Sequence, residues 1–352
     1  WSVAVSGDRA LVGAHQNDDG GAESGSAYAF DLPPLPVRTV LAGTEGYRML
    51  AHPAGGTVGD LLGSTYTQGF PGSDDPTPAD GFCSVYTFDE TQGTFDGSYT
   101  CAASQSANLP QGTGLLAYVY TDETPGVPDT PVGFPKPIAV SGSAASAPFS
   151  GFGLTYTVST VVPAYEWGWN LAGNPLADAF DWDLATRSSD LSATIYVYDP
   201  NYFDGDYQSW TAGSGGDLAG GIVPALQGFF AKATGPSPSL TIPSAAVVYD
   251  EPYVYGRAEG APSPLRFELA VQTDAGDEPV SATFIAPTDG AALGEDALDA
   301  YRLTPSAWPR TVLSTRTVGS AEPVALMLNA LPLDAAGEIT VPLEVAAEGH
   351  AA

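Results

Sequence analysis

One stretch of the chain is written twice, and this repetition constrains the fold more than any other feature. Residues 46–53 read GYRMLAHP, and residues 168–175 read GWNLAGNP. Each stretch opens a long segment that is rich in glycine and aromatic residues. A segment that recurs with the same landmarks indicates one structural unit used twice.

Three more blocks repeat in the same order. Residues 85–89 (VYTFD) match 195–199, residues 95–99 (FDGSY) match 203–207, and residues 109–117 match 223–231. The spacing between blocks changes by a few residues, which indicates loop insertions between retained strands. We therefore predict two copies of one unit, at residues 37–145 and 154–246, each with its own apolar interior.

The composition favours strands over helices in these units. The 41 glycines and 31 prolines punctuate short elements, while the 17 tyrosines and 14 phenylalanines suit half-buried sheet surfaces. An Asp-Gly pair between tyrosine-containing runs indicates a hairpin in each copy. The prediction is an all-β protein with tandem duplicated β-sandwich or barrel-like units.

The charge of the chain disfavours two kinds of partner. Asp and Glu number 41 against 11 Lys and Arg, which gives a net charge of −30. Such a chain repels nucleic acid and anionic membrane surfaces, and it lacks an apolar run long enough for membrane insertion. An acidic surface is compatible with a high-salt habitat, where counterions screen repulsion, or serves solubility alone.

Cys83 and Cys101 are the two cysteines, and they lie on either side of the hairpin in the first copy. Hydroxyl-rich, lysine-poor surroundings favour a disulfide between neighbouring strands, which persists only in an oxidising compartment. Two buried free thiols are the alternative. The second copy has no cysteines at the corresponding places, so a bridge would reinforce one copy alone.

Residues 1–31 form a separate pattern before the Pro-rich linker at residues 32–36. Strands are expected at residues 2–5, 9–14 and 25–30, around the turn at Gly7-Asp8 and the acidic loop at residues 16–21. Together with the pair Gly13-Ala14, this segment resembles an FG-GAP repeat, the blade unit of integrin-like β-propellers. The resemblance implies a partial propeller blade, which we expect to be the last blade of a larger protein.

The acidic loop of that repeat is the candidate metal site. In the family this loop can hold Ca²⁺, and the oxygen donors that match here are Asn17, Asp18 and Asp19. A solvated turn is the alternative, because Asn, Asp and Gly are also the commonest turn residues. Calcium is the one cofactor that the sequence suggests.

The duplicated units carry a second resemblance. Residues 46–53 and 67–74, residues 168–175 with 181–183, and residues 223–230 are similar to a module of large bacterial proteins exported by the type IX secretion system. The resemblance covers about residues 37–245 and implies an extracellular or cell-surface protein. It implies no enzymatic activity.

A further β-sandwich is predicted over residues 263–348. Apolar residues alternate at 265–271, and strands are expected at 282–285, 324–328 and 339–343. Residues 296–301 could form a helical turn. The unit is similar to the sandwich that precedes the sorting domain in the same exported proteins.

The sequence offers little for catalysis. The three histidines, His15, His52 and His350, lie in different units, so no pair has metal-ligand spacing. A glycoside hydrolase would need paired carboxylates, and Glu166 with Asp181 and Asp183 is the best case. Acidic pairs arise by chance in such an acidic chain, so we expect no enzyme.

Binding is the remaining class of function. Four tryptophans lie in the second copy, and exposed indole faces could bind sugar rings of extracellular glycans: Trp167, Trp169, Trp182 and Trp210. A role in the core is the alternative, because Trp169 matches Tyr47 of the first copy. We expect a structural or adhesive segment that contacts glycans or surface proteins.

Overall fold

The structure is a computed structural model that is dominated by antiparallel sheets. It describes residues 2–6, 9–14, 26–31, 36–92, 94–121, 133–160, 162–202, 205–249, 265–273, 276–287, 291–296, 298–303, 314–317 and 324–331. Within these ranges no sheet closes into a barrel. The prediction of an all-β sandwich fold is confirmed, and the part of the chain that the structure describes contains no closed barrel.

The first strands are those that the sequence predicts. They are β1 (Ser2–Ser6), β2 (Arg9–Ala14) and β3 (Ser26–Asp31). They form an antiparallel sheet in the order β1-β2-β3. The turn expected at Gly7-Asp8 and the acidic loop expected at residues 16–21 lie outside the described residues.

The first copy contains a four-stranded sheet and two strand pairs. Its strands are β4 (Val37–Leu41), β5 (Gly46–Ala51), β6 (Gly56–Thr57), β7 (Val85–Phe88), β8 (Tyr99–Cys101), β9 (Asn108–Leu109), β10 (Gly114–Val119) and β11 (Lys136–Val140). The main sheet has the order β5-β10-β7-β8, while β4 pairs with β11 and β6 with β9.

The first copy also contains one short helix, α1 (Val58–Leu62), which the sequence analysis does not anticipate. The side chain of Thr57 accepts a hydrogen bond from the Asp60 amide at 3.1 Å, and the Asp60 carboxylate accepts one from the Thr57 amide at 2.9 Å. This capping box stabilises the N-terminus of the helix.

The second copy repeats the main sheet. Its strands are β12 (Trp169–Gly173), β13 (Ala179–Asp181), β14 (Thr186–Arg187), β15 (Leu191–Asp199), β16 (Asp206–Thr211), β17 (Gly215–Gly216), β18 (Ile222–Val223), β19 (Gly228–Ala233), β20 (Leu240–Thr241) and β21 (Val247–Val248). The sheet order is β12-β19-β15-β16-β17, with smaller sheets β18-β13-β21 and β14-β20.

The two main sheets share their register as well as their order. Gly114 faces Ala51 across β10 and β5, and Gly228 faces Gly173 across β19 and β12. In the hairpins, β7 pairs with β8 as β15 pairs with β16, so that Phe88 faces Tyr99 and Tyr198 faces Tyr207. The residue matches found in the sequence are therefore matches of position in the sheets.

Each main sheet covers a core of its own on its outer face. In the first copy, Leu50, Leu115 and Val85 pack on the helix α1 and on the pair β4 and β11. In the second copy, Ile195 and Phe229 pack on the small sheets around β13 and β14. Each copy is thus a two-layered sandwich.

A third core lies between the two main sheets, and the sequence analysis does not predict it. Met49 of the first copy and Phe230 of the second belong to one buried cluster, together with aromatic rings from both sheets. The rings of Phe88 and Phe230 lie 4.9 Å apart in an edge-to-face contact. The copies therefore pack face to face, and their inner faces cover each other.

The C-terminal unit joins this third core. Its strands are β22 (Leu265–Thr273), β23 (Gly276–Pro287), β24 (Ala300–Tyr301), β25 (Thr315–Arg316) and β26 (Ala325–Leu331), in the order β22-β23-β26-β24, with β25 also on β26. Phe284, Leu328 and Leu303 lie in the same buried cluster as Trp169. The helical turn expected at residues 296–301 is found only at its start, where the Asp299 amide donates to the Asp296 carbonyl at 3.3 Å, because β24 pairs with β26 from Ala300 onward. The strand expected at residues 339–343 lies outside the described residues.

Candidate functional site

A cleft of about 400 Å³ lies where the second copy meets the C-terminal unit. Ligand sites are commonly concave and lie between structural units. The lining comes from both copies and from the C-terminal unit: Phe95, Asp96, Tyr165, Glu166, Trp169, Tyr301, Arg302, Leu303, Arg316, Val324 and Ala325.

Aromatic rings build the inner wall of this cleft. Trp169 is buried, and its ring lies 5.5 Å from Phe95 and 6.0 Å from Tyr301, edge to face in both contacts. The indole Nε1 donates a hydrogen bond to the carbonyl of Tyr165 at 3.0 Å. That bond holds the Tyr165 loop, and the Tyr165 side chain remains 44% exposed.

Lys232 lies behind the wall, and its ammonium is almost fully buried. Its Nζ lies 5.1 Å from the centre of the Trp169 ring and 4.9 Å from that of Tyr301. Three carbonyl oxygens accept its hydrogen bonds, at 3.2, 3.0 and 2.6 Å: those of Ala164, Tyr165 and Trp167. Lys232 thus fixes the loop that carries Tyr165 and Glu166.

The surroundings of Lys232 have opposing effects on its charge. Burial lowers the pKa of the ammonium to about 7, and the negative charges of Glu295, Glu90 and Glu166 act against that change. Glu90 is itself buried, and it accepts hydrogen bonds from the Thr157 amide at 2.6 Å and from the Thr157 hydroxyl at 2.8 Å. These contacts join the first copy to the beginning of the second.

Charged groups around the cleft differ in their availability. Arg302 forms a buried ion pair with Asp206, so it connects the C-terminal unit to β16 and is engaged within the protein. Arg316 and Asp96 are exposed, and Glu166 is half-buried. The cleft therefore combines aromatic surface with hydrogen-bonding groups of both charges, which suits a ligand rich in hydroxyls.

The structure corrects the predicted row of tryptophans. Trp169, Trp182 and Trp210 are 2%, 0% and 6% exposed, so they cannot offer flat faces to a sugar. Trp182 and Trp210 belong to the outer core of the second copy. Trp167 is half-buried, and its Nε1 donates to the Val162 carbonyl at 3.1 Å. Large aromatic side chains are buried here because they fill the sandwich cores.

The carboxylates considered for catalysis are not brought together in the cleft. Glu166 lines it, whereas Asp181 and Asp183 are absent from its lining. Asp181 accepts a hydrogen bond from the Asp183 amide at 2.8 Å, and Asp183 accepts one from the Trp210 indole at 3.1 Å. Burial raises the pKa of Asp181. These two carboxylates stabilise a turn beside the outer core.

The predicted disulfide lies among the described residues, whereas the predicted calcium site does not. Cys83 and Cys101 form the predicted disulfide, with their Cα atoms 6.0 Å apart. Asn17, Asp18 and Asp19, the candidate calcium ligands, lie outside the described residues. Within the described ranges no group of three or more acidic, histidine or cysteine side chains is placed to hold a metal ion.

Lys232, Tyr301 and Glu90 are site residues that the sequence analysis does not find. The sequence contains one signal that could have indicated Lys232. It and Lys136 are the only lysines of a chain with 41 acidic residues. Both are buried, at 3% exposure. Because a lysine is rarely buried unless its ammonium group has partners, two buried lysines indicate structural positions.

Comparison with known proteins gives one match, to part of the chain. Residues 1–30 match the family model of the FG-GAP repeat. No curated protein and no solved structure matches the chain. FG-GAP repeats are typical of extracellular and cell-surface proteins and suggest an adhesion-like domain. No helix among the described residues is long and apolar enough to cross a membrane.

Proposed function

We propose that this chain is a non-catalytic structural and adhesive segment of a secreted, surface-attached bacterial protein. The observation that carries the proposal is the cluster shared by Met49, Phe230 and Leu328, which packs both copies and the C-terminal unit on one another. A shared core of this kind holds the three units in a fixed arrangement, as a structural segment requires. The FG-GAP match at residues 1–30 supports an extracellular setting.

Export by the type IX system is part of this proposal. Its support is the resemblance of residues 46–53, 168–175 and 223–230 to the module of such exported proteins. The disulfide of Cys83 and Cys101 fits the same setting, because disulfides persist in oxidising compartments. A high-salt habitat is a further part, supported by the net charge of −30.

Glycan binding is the second candidate function, and the cleft favours it. Tyr165 is exposed at the cleft, beside Phe95 and Tyr301, so aromatic surface is available there to a sugar ring. Asp96 and Arg316 are exposed and can form hydrogen bonds with hydroxyl groups. The candidate site thus moves from the predicted tryptophans to the residues of the cleft.

A glycan microarray with the labelled chain tests both candidates. Adhesion through the cleft predicts binding that Tyr165→Ala and Asp96→Asn each weaken by about tenfold, the scale of one lost stacking or charged contact. The matched control is Tyr249→Ala, because Tyr249 is 70% exposed and does not line the cleft. Glycan binding that all three variants retain would place the binding site outside the cleft, and binding to no glycan on the array would leave only the structural role.

An assay of released reducing ends tests the absence of catalysis. The polysaccharides bound on the array are incubated with the chain and with Glu166→Gln. We expect no release by either protein. Release by the unmodified chain that is lost in Glu166→Gln would contradict the proposal and would make the cleft an active site.

A further inference from the structure

Six half-buried aromatic rings form a continuous surface on the first copy, here called the tyrosine patch: Tyr47, Tyr66, Phe82, Tyr86, Tyr118 and Tyr120. Tyr118 is central, with ring centres 5.2 Å from Tyr47, 5.6 Å from Phe82 and 4.8 Å from Tyr120. Tyr66 extends the patch, at 5.3 Å from Tyr120. These rings lie outside the lining of the cleft.

The tyrosine patch occupies in the first copy the place that the cleft wall occupies in the second. Tyr118 faces Tyr47 across β10 and β5, and Lys232 faces Trp169 across β19 and β12. Tyr47 is thus the counterpart of Trp169, and Tyr118 that of Lys232. In the second copy the C-terminal residue Tyr301 covers the tryptophan, and the tryptophan is buried.

The second copy also shows which kind of side chain packs on the aromatic rings at this place in the fold. There the ammonium of Lys232 lies over the rings of Trp169 and Tyr301, with carboxylates nearby. In the first copy the lysine is replaced by Tyr118. Among the described residues no lysine or arginine stacks on a ring of the tyrosine patch. The first copy therefore keeps the aromatic rings of this arrangement but has a tyrosine in place of the lysine.

Carboxylates surround the tyrosine patch. Glu45 accepts a hydrogen bond from the Tyr118 hydroxyl at 3.2 Å and one from the Thr121 amide at 3.1 Å. Burial raises the pKa of the Tyr66 hydroxyl, and negative charge from three nearby aspartates raises it further: Asp75, Asp74 and Asp80.

Backbone amides hold two of these carboxylates in place. Asp80 accepts from the Phe82 amide at 2.9 Å, and Asp74 accepts from the Thr67 amide at 2.8 Å. These two donors are uncharged, so neither forms an ion pair with its carboxylate.

We propose that the tyrosine patch binds a lysine- or arginine-bearing segment of a protein partner. Aromatic faces attract ammonium and guanidinium groups, and the attraction is stronger when water is excluded. The nearby carboxylates, Glu45 among them, pair with the same groups. The net charge of −30 speeds the approach of a basic partner.

The test measures binding of a fluorescein-labelled oligolysine peptide by fluorescence anisotropy at low and high salt. Any acidic protein attracts this peptide, so the decisive variant keeps the net charge: Tyr118→Ser with Tyr120→Ser. We expect its affinity to fall about tenfold, which corresponds to about 1.4 kcal/mol. The matched control is Tyr249→Ser, which alters an exposed tyrosine outside the patch and keeps the affinity unchanged.

A second pair of variants keeps the test decisive if the serine variant fails to fold. Glu45→Gln with Asp80→Asn removes two charges at the patch and keeps the hydrogen-bond acceptors. Asp183→Asn with Asp190→Asn removes two charges elsewhere. The proposal requires the first pair to weaken binding more than the second. Equal losses, an unchanged affinity in a folded Tyr118→Ser, Tyr120→Ser variant, or preference of the patch for a neutral oligosaccharide would overturn it.

Discussion

The backbone of Leu50 in the first copy forms an antiparallel bridge with Gln227 in the second. The same bridge occurs with the copies exchanged, because Ala172, the counterpart of Leu50, pairs with Thr113, the counterpart of Gln227. The two copies thus meet through one surface used by both, as the subunits of a two-fold dimer do.

The first prediction concerns the glycines that allow this contact. A Cβ on Gly228 would lie 3.0 Å from the backbone of Leu50, and one on Gly114 would lie 2.6 Å from the Ala172 carbonyl oxygen. Overpacking of this kind costs about 1–3 kcal/mol. Gly228→Ala and Gly114→Ala are each expected to lower the free energy of unfolding by that amount in urea titrations.

Gly153→Ala is the control for these glycine variants, because no atom lies within 4 Å of the added Cβ. We expect it to change stability by less than about 0.5 kcal/mol. If Gly228→Ala were as stable as Gly153→Ala, the close approach of the two copies would be wrong.

The second prediction concerns the disulfide of Cys83 and Cys101. The bond closes a loop with a sequence separation of 18 residues. On chain-entropy grounds, loss of such a loop closure costs about 3 kcal/mol. Cys83→Ser with Cys101→Ser is expected to lower the free energy of unfolding accordingly, and a reducing agent should then have no further effect. Equal stability with and without reductant in the unmodified chain would contradict this.

The third prediction separates a core tryptophan from a binding tryptophan. Trp182 is fully buried, its Nε1 donates to the Ala193 carbonyl at 2.6 Å, and the Arg187 guanidinium lies 4.7 Å from its ring centre. Trp182→Ala is expected to cost about 3–5 kcal/mol in unfolding titrations, as other buried aromatic truncations do. A Trp182→Ala variant that keeps its stability but loses glycan binding would support the role in sugar binding that the sequence predicts for this tryptophan.

The repeats in the sequence predict more of this fold than the composition does. Matching Tyr86 with Tyr196 and Tyr99 with Tyr207 places each pair at the same sheet position, because a sheet fixes its register through side-chain alternation. The strand order follows from the same matches once one copy is known. The disulfide is also predictable, because its two cysteines flank one hairpin.

The shared core and the site are not predictable in the same way. Both faces of β5 are buried, so the sequence shows that Met49 and Leu50 are apolar but not which element covers each. The helix α1 has five residues, too few to show a helical period. The cleft depends on a contact between Tyr301 and Trp169. These residues lie so far apart along the chain that the sequence does not indicate the contact.

The fourth prediction concerns the pH dependence due to Lys232. Its pKa is about 7 in the folded protein and 10.5 at its ordinary value, so between these values the unfolded chain binds more protons. Stability therefore rises with pH in that range, by at most about 1.4 kcal/mol per pH unit for one group. Lys232→Met removes this rise. Urea titrations from pH 7 to higher pH measure it, and equal slopes in both proteins would contradict the prediction.

The fifth prediction concerns Asp299, whose contribution has the opposite sign. Burial raises its pKa from 3.8 to about 7, although the Asp296 and Ala330 amides donate hydrogen bonds to it. Between these values the folded protein binds more protons than the unfolded chain, so stability falls as pH rises. We expect Asp299→Asn to remove the part of this fall in stability that is due to Asp299. Urea titrations at several pH values measure the change.

Asp217 provides the internal check on this fifth prediction, because burial raises its pKa to about 6. The fall in stability that Asp217 causes therefore ends at a lower pH than the fall that Asp299 causes. Asp217→Asn should therefore flatten the stability profile only up to about pH 6, whereas Asp299→Asn should flatten it up to about pH 7. The contribution of each carboxyl group follows from its own burial, so the two effects should add in the double variant. An Asp299→Asn profile parallel to that of the unmodified chain would show that this carboxyl group is ionised in the folded protein.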